Sequence, residues 1–421
     1  MLSLYANLKT SKMIYQLFAP SEIKTSIQLP SSKSISNRAL IINALSKGRY
    51  PIENLSDCDD TRVMIKALSE EKKTIDIMAA GTAMRFLTAY LSVNPGKYII
   101  TGTTRMQQRP IEVLVNALRE LGADITYVNN EGFPPLLIKG RELKGNEITL
   151  KGNISSQYIS ALLMIGPVLQ NGLTLRLSGE IISRPYIDLT LQIMKDFGAK
   201  AEWVTSNSIT VAPQPYCSTP FKIENDWSAA SYWYQIAALS GKAEIALPGL
   251  FKSSFQGDSR GAELFSRLGI TTKFTAQTVV ITNENTRPQY FEENLIDIPD
   301  LAQTFVVTCA LLNIPFRFSG LQSLKIKETD RIEALKTELR KLGYILKDEN
   351  DCSLVWDGTR FEAEKHPIIQ TYEDHRMAMA FAPSSFIFPG IRIANPGVVS
   401  KSYPGYWKDL TMTGFQIKEI K

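Results

Sequence analysis

Residues 33–48 read KSISNRALIINALSKG: a polar, basic start, a run of small and apolar residues with helical character, then a glycine before a strand-like segment. The same pattern returns at Ala80 (AGTAMRFLTAYLSVNPG), Ser155 (SSQYISALLMIGPVLQNG), Asp226 (DWSAASYWYQIAALSGK), Asp300 (DLAQTFVVTCALLNIP) and Asp374 (DHRMAMAFAPSSFIFPG). Successive starts lie 47, 75, 71, 74 and 74 residues apart, so the first interval alone is short. Such a period marks a repeated structural unit.

A second helix type lies between these segments. It is amphipathic and closes on Leu-Gly or Phe-Gly, as in RPIEVLVNALRELG (Arg109 to Gly122), RPYIDLTLQIMKDFG (Arg184 to Gly198), RGAELFSRLG (Arg260 to Gly269) and RIEALKTELRKLG (Arg331 to Gly343). Glycine just past the last apolar residue is a helix-stop signal. Short β-rich runs follow each one, so every unit reads helix, strand, helix, strands. The expected fold is α/β, with six such units shared equally between two domains. The small-residue helices, apolar on several faces, are expected to be buried among others.

Composition agrees with that reading. A chain of 421 residues exceeds one ordinary core. With 44% hydrophobic and 21% charged residues it is globular in character. Its apolar runs are too short or too interrupted to span a bilayer, and no long apolar stretch follows Lys9 and Lys12, so neither a membrane nor a secretory signal is expected. Four widely spaced cysteines without a CxxC suit reduced thiols in the cytoplasm. A net charge of +5 without a basic stripe argues against nucleic acid. Two histidines, His366 and His375, exclude a histidine-rich metal site.

The starts of the small-residue helices carry the chemistry. Helix N-termini offer free N–H groups and positive partial charge to anions. Ser34 reads as a cap flanked by Lys33 and Arg38. AAGTAMR places Gly81 where backbone can approach a ligand. Arg105 and Arg109 stand four apart before Pro110. Ser155, Ser156 and Gln157 open one helix; Ser183, Arg184 and Tyr186 open another. In KETDRIEALKTELRKLG, Asp330 and Glu333 fit a capping box, with Ile332, Leu335, Leu339 and Leu342 as the buried stripe. Lys327 and Arg331 lie one turn apart, and Glu328 beside them suits proton transfer. His375 and Arg376 start the last helix, and Lys401 lies in SKSYPGYW. Taken singly, most of these fit solvated or capping residues. Together they suit an enzyme that handles two anionic substrates.

The ordered set SKSISNR, AGTAMR, RMQQRPI, SSQYISALL, SRPYID, KETDR and DHRMAM resembles the 5-enolpyruvylshikimate-3-phosphate (EPSP) synthase family, from LPSSKSISNRAL near the start to SKSYPGYW near the end. The resemblance implies a two-domain inside-out α/β barrel of six βαβαββ units, with halves at 31–224 and at 1–30 plus 225–421 and the site between them. It implies transfer of the enolpyruvyl group of phosphoenolpyruvate to the 5-hydroxyl of shikimate 3-phosphate, with release of phosphate, by a cytoplasmic monomer needing no cofactor or metal. Carried over by motif, Lys33, Ser34, Arg38, Ser155, Ser156, Gln157, Ser183, Tyr186, Asp300 and Lys327 would bind shikimate 3-phosphate. Lys33, Gly81, Arg109, Gln157, Arg331, Arg376 and Lys401 would bind phosphoenolpyruvate. Asp300, Glu328 and Lys33 would be catalytic, Asp300 as proton acceptor and the other two as candidate donors to the vinyl carbon. Ser31, Ala79, Phe86 and Ser323 depart from the family pattern, and the changes at Ala79 and Phe86 leave glyphosate sensitivity unreadable from the sequence. The rivals are the sister enzyme that acts on UDP-N-acetylglucosamine and a non-catalytic ligand-binding paralogue.

Overall fold

The computed structural model describes residues 13–70 and 72–420. Residues 1–12, Glu71 and Lys421, which fall within the expected halves, lie outside the described residues.

Among the described residues five sheets have four strands each, and all share one pattern of strand pairing. The unit at 74–140 shows it. Strand Thr74–Asp76 is followed by helix Gly81–Val93, strand Gly96–Thr101, helix Glu112–Glu120, and strands Asp124–Tyr127 and Leu136–Gly140. The first two strands pair in parallel, with Ile75 opposite Ile100, and the last strand inserts antiparallel between the second and third. A parallel pair needs a crossover helix and an antiparallel pair only a turn, so one small-residue helix and one amphipathic helix serve each sheet.

The remaining sheet has only two strands, Ile52–Glu53 and Phe221–Lys222, paired in parallel. Its unit runs through helices Lys33–Leu45 and Asp59–Ser69 and passes straight to Thr74–Asp76, without the last two strands. That shortening accounts for the short first interval of the repeat.

Three units borrow strands from distant sequence. Phe221–Lys222 completes the two-stranded sheet. Ile23–Ser26 pairs with Ala243–Pro248. Ile14–Phe18 lies between Ile391–Ala394 and Gln416–Ile420.

Apolar residues gather in two separate cores. One spans Ile35 to Ile223; the other joins Leu17, Ile23, Ile27 and Leu29 to residues from Trp227 to Phe415. Helix Gly81–Val93 buries every residue but Tyr90 and Val93, and its hydroxyls turn inward, Thr88 to the Met84 carbonyl and Ser92 to that of Thr88. The amphipathic helices behave as expected: Arg331–Lys341 buries Ile332, Leu335 and Leu339. Their closing glycines Gly122, Gly198, Gly269 and Gly343 all have φ between 80° and 105°.

The chain passes between the cores twice, near residues 30–32 and 224–226, and the two passages are tied together. The Ser32 N–H donates to the Glu224 carbonyl (2.8 Å) and the Asp226 N–H to that of Pro30 (2.9 Å). Among the described residues no helix is long and apolar enough to cross a membrane.

Candidate active site

Helix starts from both cores meet at one cavity of about 270 Å³. From the 31–224 side come Lys33, Ser34 and Arg38, Gly81 and Thr82, Arg109, Ser155 to Gln157, and Ser183 with Tyr186; from the other come Asp300, Lys327, Glu328, Arg331, His375 and Arg376. Of the residues singled out from sequence, Arg105 and Lys401 line a different cavity and not this one. That one, of about 850 Å³, shares Asp60, Arg109 and Glu328 with the first.

Local structure differs from expectation at three starts; in one, Asp330 accepts from the Ile332 and Glu333 N–H groups while the Glu333 carboxylate turns to Lys336, so the capping box is half made. Ser32, not Ser34, caps the first helix by accepting from the Ile35 N–H; Ser34 sits inside the first turn. The Ser32 backbone is fixed by Glu224, which sets where the helix begins. Asp300 lies in a tight turn, Pro299–Leu301, ahead of helix Ala302–Leu311. Ser155, Asp226, Asp330 and Asp374 each accept backbone N–H bonds at their helix starts.

Five of the cations, Lys33, Lys327, Arg331, Arg376 and Lys401, are paired with carboxylates. Arg331, nearly sealed from solvent, reaches Asp374 (2.7 Å), Glu328 (3.0 Å) and Asp300 (3.2 Å). Arg376 holds the second Asp300 oxygen at 2.7 Å, and Lys327 stands 3.6 Å from the first. Lys401 pairs with Glu328 at 3.0 Å, and Lys33 with Asp60 at 3.5 Å. Lys327 and Arg331 do converge on one anion as their spacing suggested, and that anion is the Asp300 carboxylate.

These pairs set the protonation. Burial alone would raise Asp300, but Arg376, Lys327 and Arg331 outweigh it and hold the carboxyl well below its usual range. At Glu328 burial is likewise overcome, by Lys401, Arg331 and Arg109. Burial lowers Lys33, yet Asp60 and further negative groups raise it on balance, so it stays charged. Burial, with Lys33 and Arg376 nearby, pushes His375 well below the ordinary histidine value. Among the described residues neither His375 ring nitrogen has a hydrogen-bond partner, the Asp374 carboxylate standing 3.8 Å from Nδ1.

The opposite wall is made of donors. Gln157 donates to the Thr82 hydroxyl at 3.2 Å. Gly81 faces the guanidinium groups of Arg85 and Arg109, and a Cβ there would come within 2.7 Å of each. Arg38 is turned into protein: it donates to Thr190 (2.7 Å), the Ser34 carbonyl (2.8 Å), Ser160 (3.1 Å) and the Tyr186 carbonyl (3.3 Å). The Ser323 hydroxyl is buried beside the cavity without a partner among the described residues.

Contacts close the cavity across the two sides. The Ser183 N–H donates to the Ile296 carbonyl (3.0 Å), Arg105 to that of Glu328 (3.3 Å), and Ser400 to Asp59 (2.5 Å). Sequence reasoning passed over Asp60, Asp258, Asp374 and Tyr232. Asp60 and Asp374 resemble ordinary acids at helix starts, and only their partners, Lys33 and Arg331, distinguish them.

The site offers carboxylates beside cations, hydroxyl and amide donors opposite, and a lysine that holds its proton. It suits two anionic ligands and proton transfer between them. The family model of EPSP synthase (3-phosphoshikimate 1-carboxyvinyltransferase) matches residues 18–74 and 69–410. A 3-phosphoshikimate 1-carboxyvinyltransferase of Bacteroides fragilis (strain YCH46) is 70% identical over 406 residues, covering 96% of this chain and 99% of its own. A protein of the same name from Marinomonas sp. (strain MWYL1) is 37% identical over 415 residues, covering 92% and 96%. An EPSP synthase structure from Acinetobacter baumannii has the same fold, with TM-score 0.77 at 19% identity over 97% of this chain and all of that one. The chain belongs to the EPSP synthase family.

Proposed function

We propose that the enzyme transfers the enolpyruvyl group of phosphoenolpyruvate to the 5-hydroxyl of shikimate 3-phosphate and releases phosphate. The observation that carries this reading is the single Asp300 carboxylate, gripped by Lys327, Arg331 and Arg376 and facing the hydroxyl-rich wall.

Ser155, Ser156, Gln157 and Ser183 take the shikimate phosphate and its surroundings; Ser34, Tyr186, Asp300 and Lys327 take the ring. Arg38 acts by fixing the carbonyls of Ser34 and Tyr186. Phosphoenolpyruvate lies against Gly81, Arg109, Gln157, Arg331, Arg376 and Lys401, with Lys33 between the two substrates.

Asp300 takes the 5-hydroxyl proton as that oxygen attacks C2 of phosphoenolpyruvate, and the methylene carbon gains a proton. The tetrahedral adduct then loses a methyl proton, expels phosphate and regains its double bond. Lys33 carries a proton throughout. Glu328 is ionised while it pairs with Lys401 and Arg331. When those cations turn to the ligand's phosphate and carboxylate, its proton affinity rises and it becomes a donor. Cations fixed around the developing charge stabilise the adduct in a site closed to water. The reading includes a cytoplasmic monomer without cofactor.

The test is phosphate release from the two substrates without added metal. Release that requires shikimate 3-phosphate and falls by about 10²-fold or more in Asp300→Ala and Lys33→Ala supports the reading. Release with UDP-N-acetylglucosamine instead, or none from folded protein, overturns it.

A further inference from the structure

The Tyr186 hydroxyl stands between two carboxylates of the facing core, 3.2 Å from Asp258 Oδ1 and 3.3 Å from Asp300 Oδ2. A phenol carries one hydrogen and can donate it to one of them at a time. Asp258 is 4% exposed and sits in the turn Gly257–Arg260. Its other oxygen accepts from the Ser228 hydroxyl. Among the described residues no cation forms an ion pair with it, whereas Asp300 has three. A buried carboxylate without a counter-ion, beside an ionised one, is stabilised by taking up a proton.

We infer that Asp258 is the terminus of a proton relay that runs from Asp300 through Tyr186. Asp258 thus acts through its neighbours and not on the substrate. The inference rests on the role of Asp300 proposed above. In the step, the substrate O–H bond breaks as a new O–H forms on Asp300. That proton passes to the phenolic oxygen of Tyr186 while the original Tyr186 O–H breaks and its proton binds Asp258 Oδ1. Tyr186 is restored, one proton has moved, and the substrate oxygen keeps the electron pair that attacks carbon.

The direction of transfer follows from the surroundings. Asp300 is placed to meet the substrate, but its cations make it a poor holder of a proton. The groups facing Asp258 are Asp300, Arg376, Ser228, Asp226 and Tyr186. Burial and then the Asp300 charge raise it to about 6, while Arg376 and Ser228 oppose this. A proton delivered to Asp300 therefore comes to rest on Asp258. With the cavity closed, this route spares the proton an exit through solvent.

Asp258→Asn keeps the shape and the Tyr186 and Ser228 contacts but cannot accept the proton. With the wild-type reaction first established by phosphate release, steady-state kinetics of the full chain would be measured from pH 5 to 8. The expected result is a kcat about tenfold lower with both KM values within about twofold, and loss of the acid limb of kcat near pH 6. Tyr186→Phe should lower kcat similarly, and the double variant no further than the lower single, because the two act in series. Unchanged kcat and pH profile in Asp258→Asn, or multiplying losses in the double variant, would overturn the relay while leaving the function intact. Absence of turnover in the wild type would instead overturn the function on which it rests.

Discussion

His375 is enclosed beside the cavity, next to Lys33 and Arg376, with neither ring nitrogen hydrogen-bonded among the described residues. Its ring stays neutral in the folded chain at pH values where an exposed histidine, near 6.5, takes up a proton. Below that value the unfolded chain binds one more proton than the folded one, so His375 makes stability rise with pH across the window beneath 6.5. Its imidazole proton signals, assigned through their loss in His375→Gln, should keep the shift of the neutral ring down to pH 5.5. A midpoint at or above 6.5 would contradict the environment described. At this scale the sequence revealed residue types well and pairings poorly. Lys33 and Arg331 were legible because motif and helix start coincide, Glu328 because it lies within KETDR, and Asp300 because it opens a copy of the repeat. Asp258 was not, since its partners Ser228 and Tyr186 lie 30 and 72 residues away. Arg38 looked like an anion ligand for the same reason: Ser160 and Thr190, which occupy it, are 122 and 152 residues away.

The closing glycines of the amphipathic helices were legible because a helix that ends in a left-handed residue admits few alternatives to glycine. Their cost of substitution is not, since it depends on what faces the missing Cβ. At Gly343 (φ +87°) that atom would come within 2.5 Å of the Phe361 carbonyl oxygen; at Gly122 (φ +105°) nothing lies within 4 Å. Gly122→Ala should therefore cost about 1 kcal/mol of backbone strain, and Gly343→Ala about 3 kcal/mol, because backbone must move as well. Urea unfolding of both variants checks this, and equal losses would show that the Phe361 segment yields freely. The serine run 31–34 illustrates what remained hidden among the elements. Three serines compete to cap one helix, and a hydrogen bond from Ser32 to Glu224, across the chain passage, selects among them.

On the scale of the molecule, the period of the repeat foretold the unit and its copies, whereas the loss behind the single short interval is seen only in the two-stranded sheet. Which strands were lost, and which were borrowed from distant sequence, follows from long-range pairing that no local pattern encodes. The two cores do not merge, and the contacts that close the cavity are few and polar. Such an interface opens readily. Replacing both Arg105 and Ser400 by alanine should increase the radius of gyration in small-angle X-ray scattering, with the wild-type value restored by both substrates. An unchanged radius in the double variant would mean that the tied passages and the remaining contacts, Ser183 to Ile296 and Tyr186 to Asp258 and Asp300, hold the closed form.

Strand Ile14–Phe18 waits between Ile391–Ala394 and Gln416–Ile420. On the ribosome, where synthesis runs from the amino end and folding begins before it is complete, the consequence is an order of assembly. The segment from Ile35 to Ile223 holds every strand and apolar contact of its own core and can condense while the rest is still being made. The earliest described strand, although synthesised before it, has to remain unpaired until residues 391–394 and 416–420 emerge. Ile14, Tyr15 and Leu17 are thus the described strand residues of the newborn chain that wait longest for their partners.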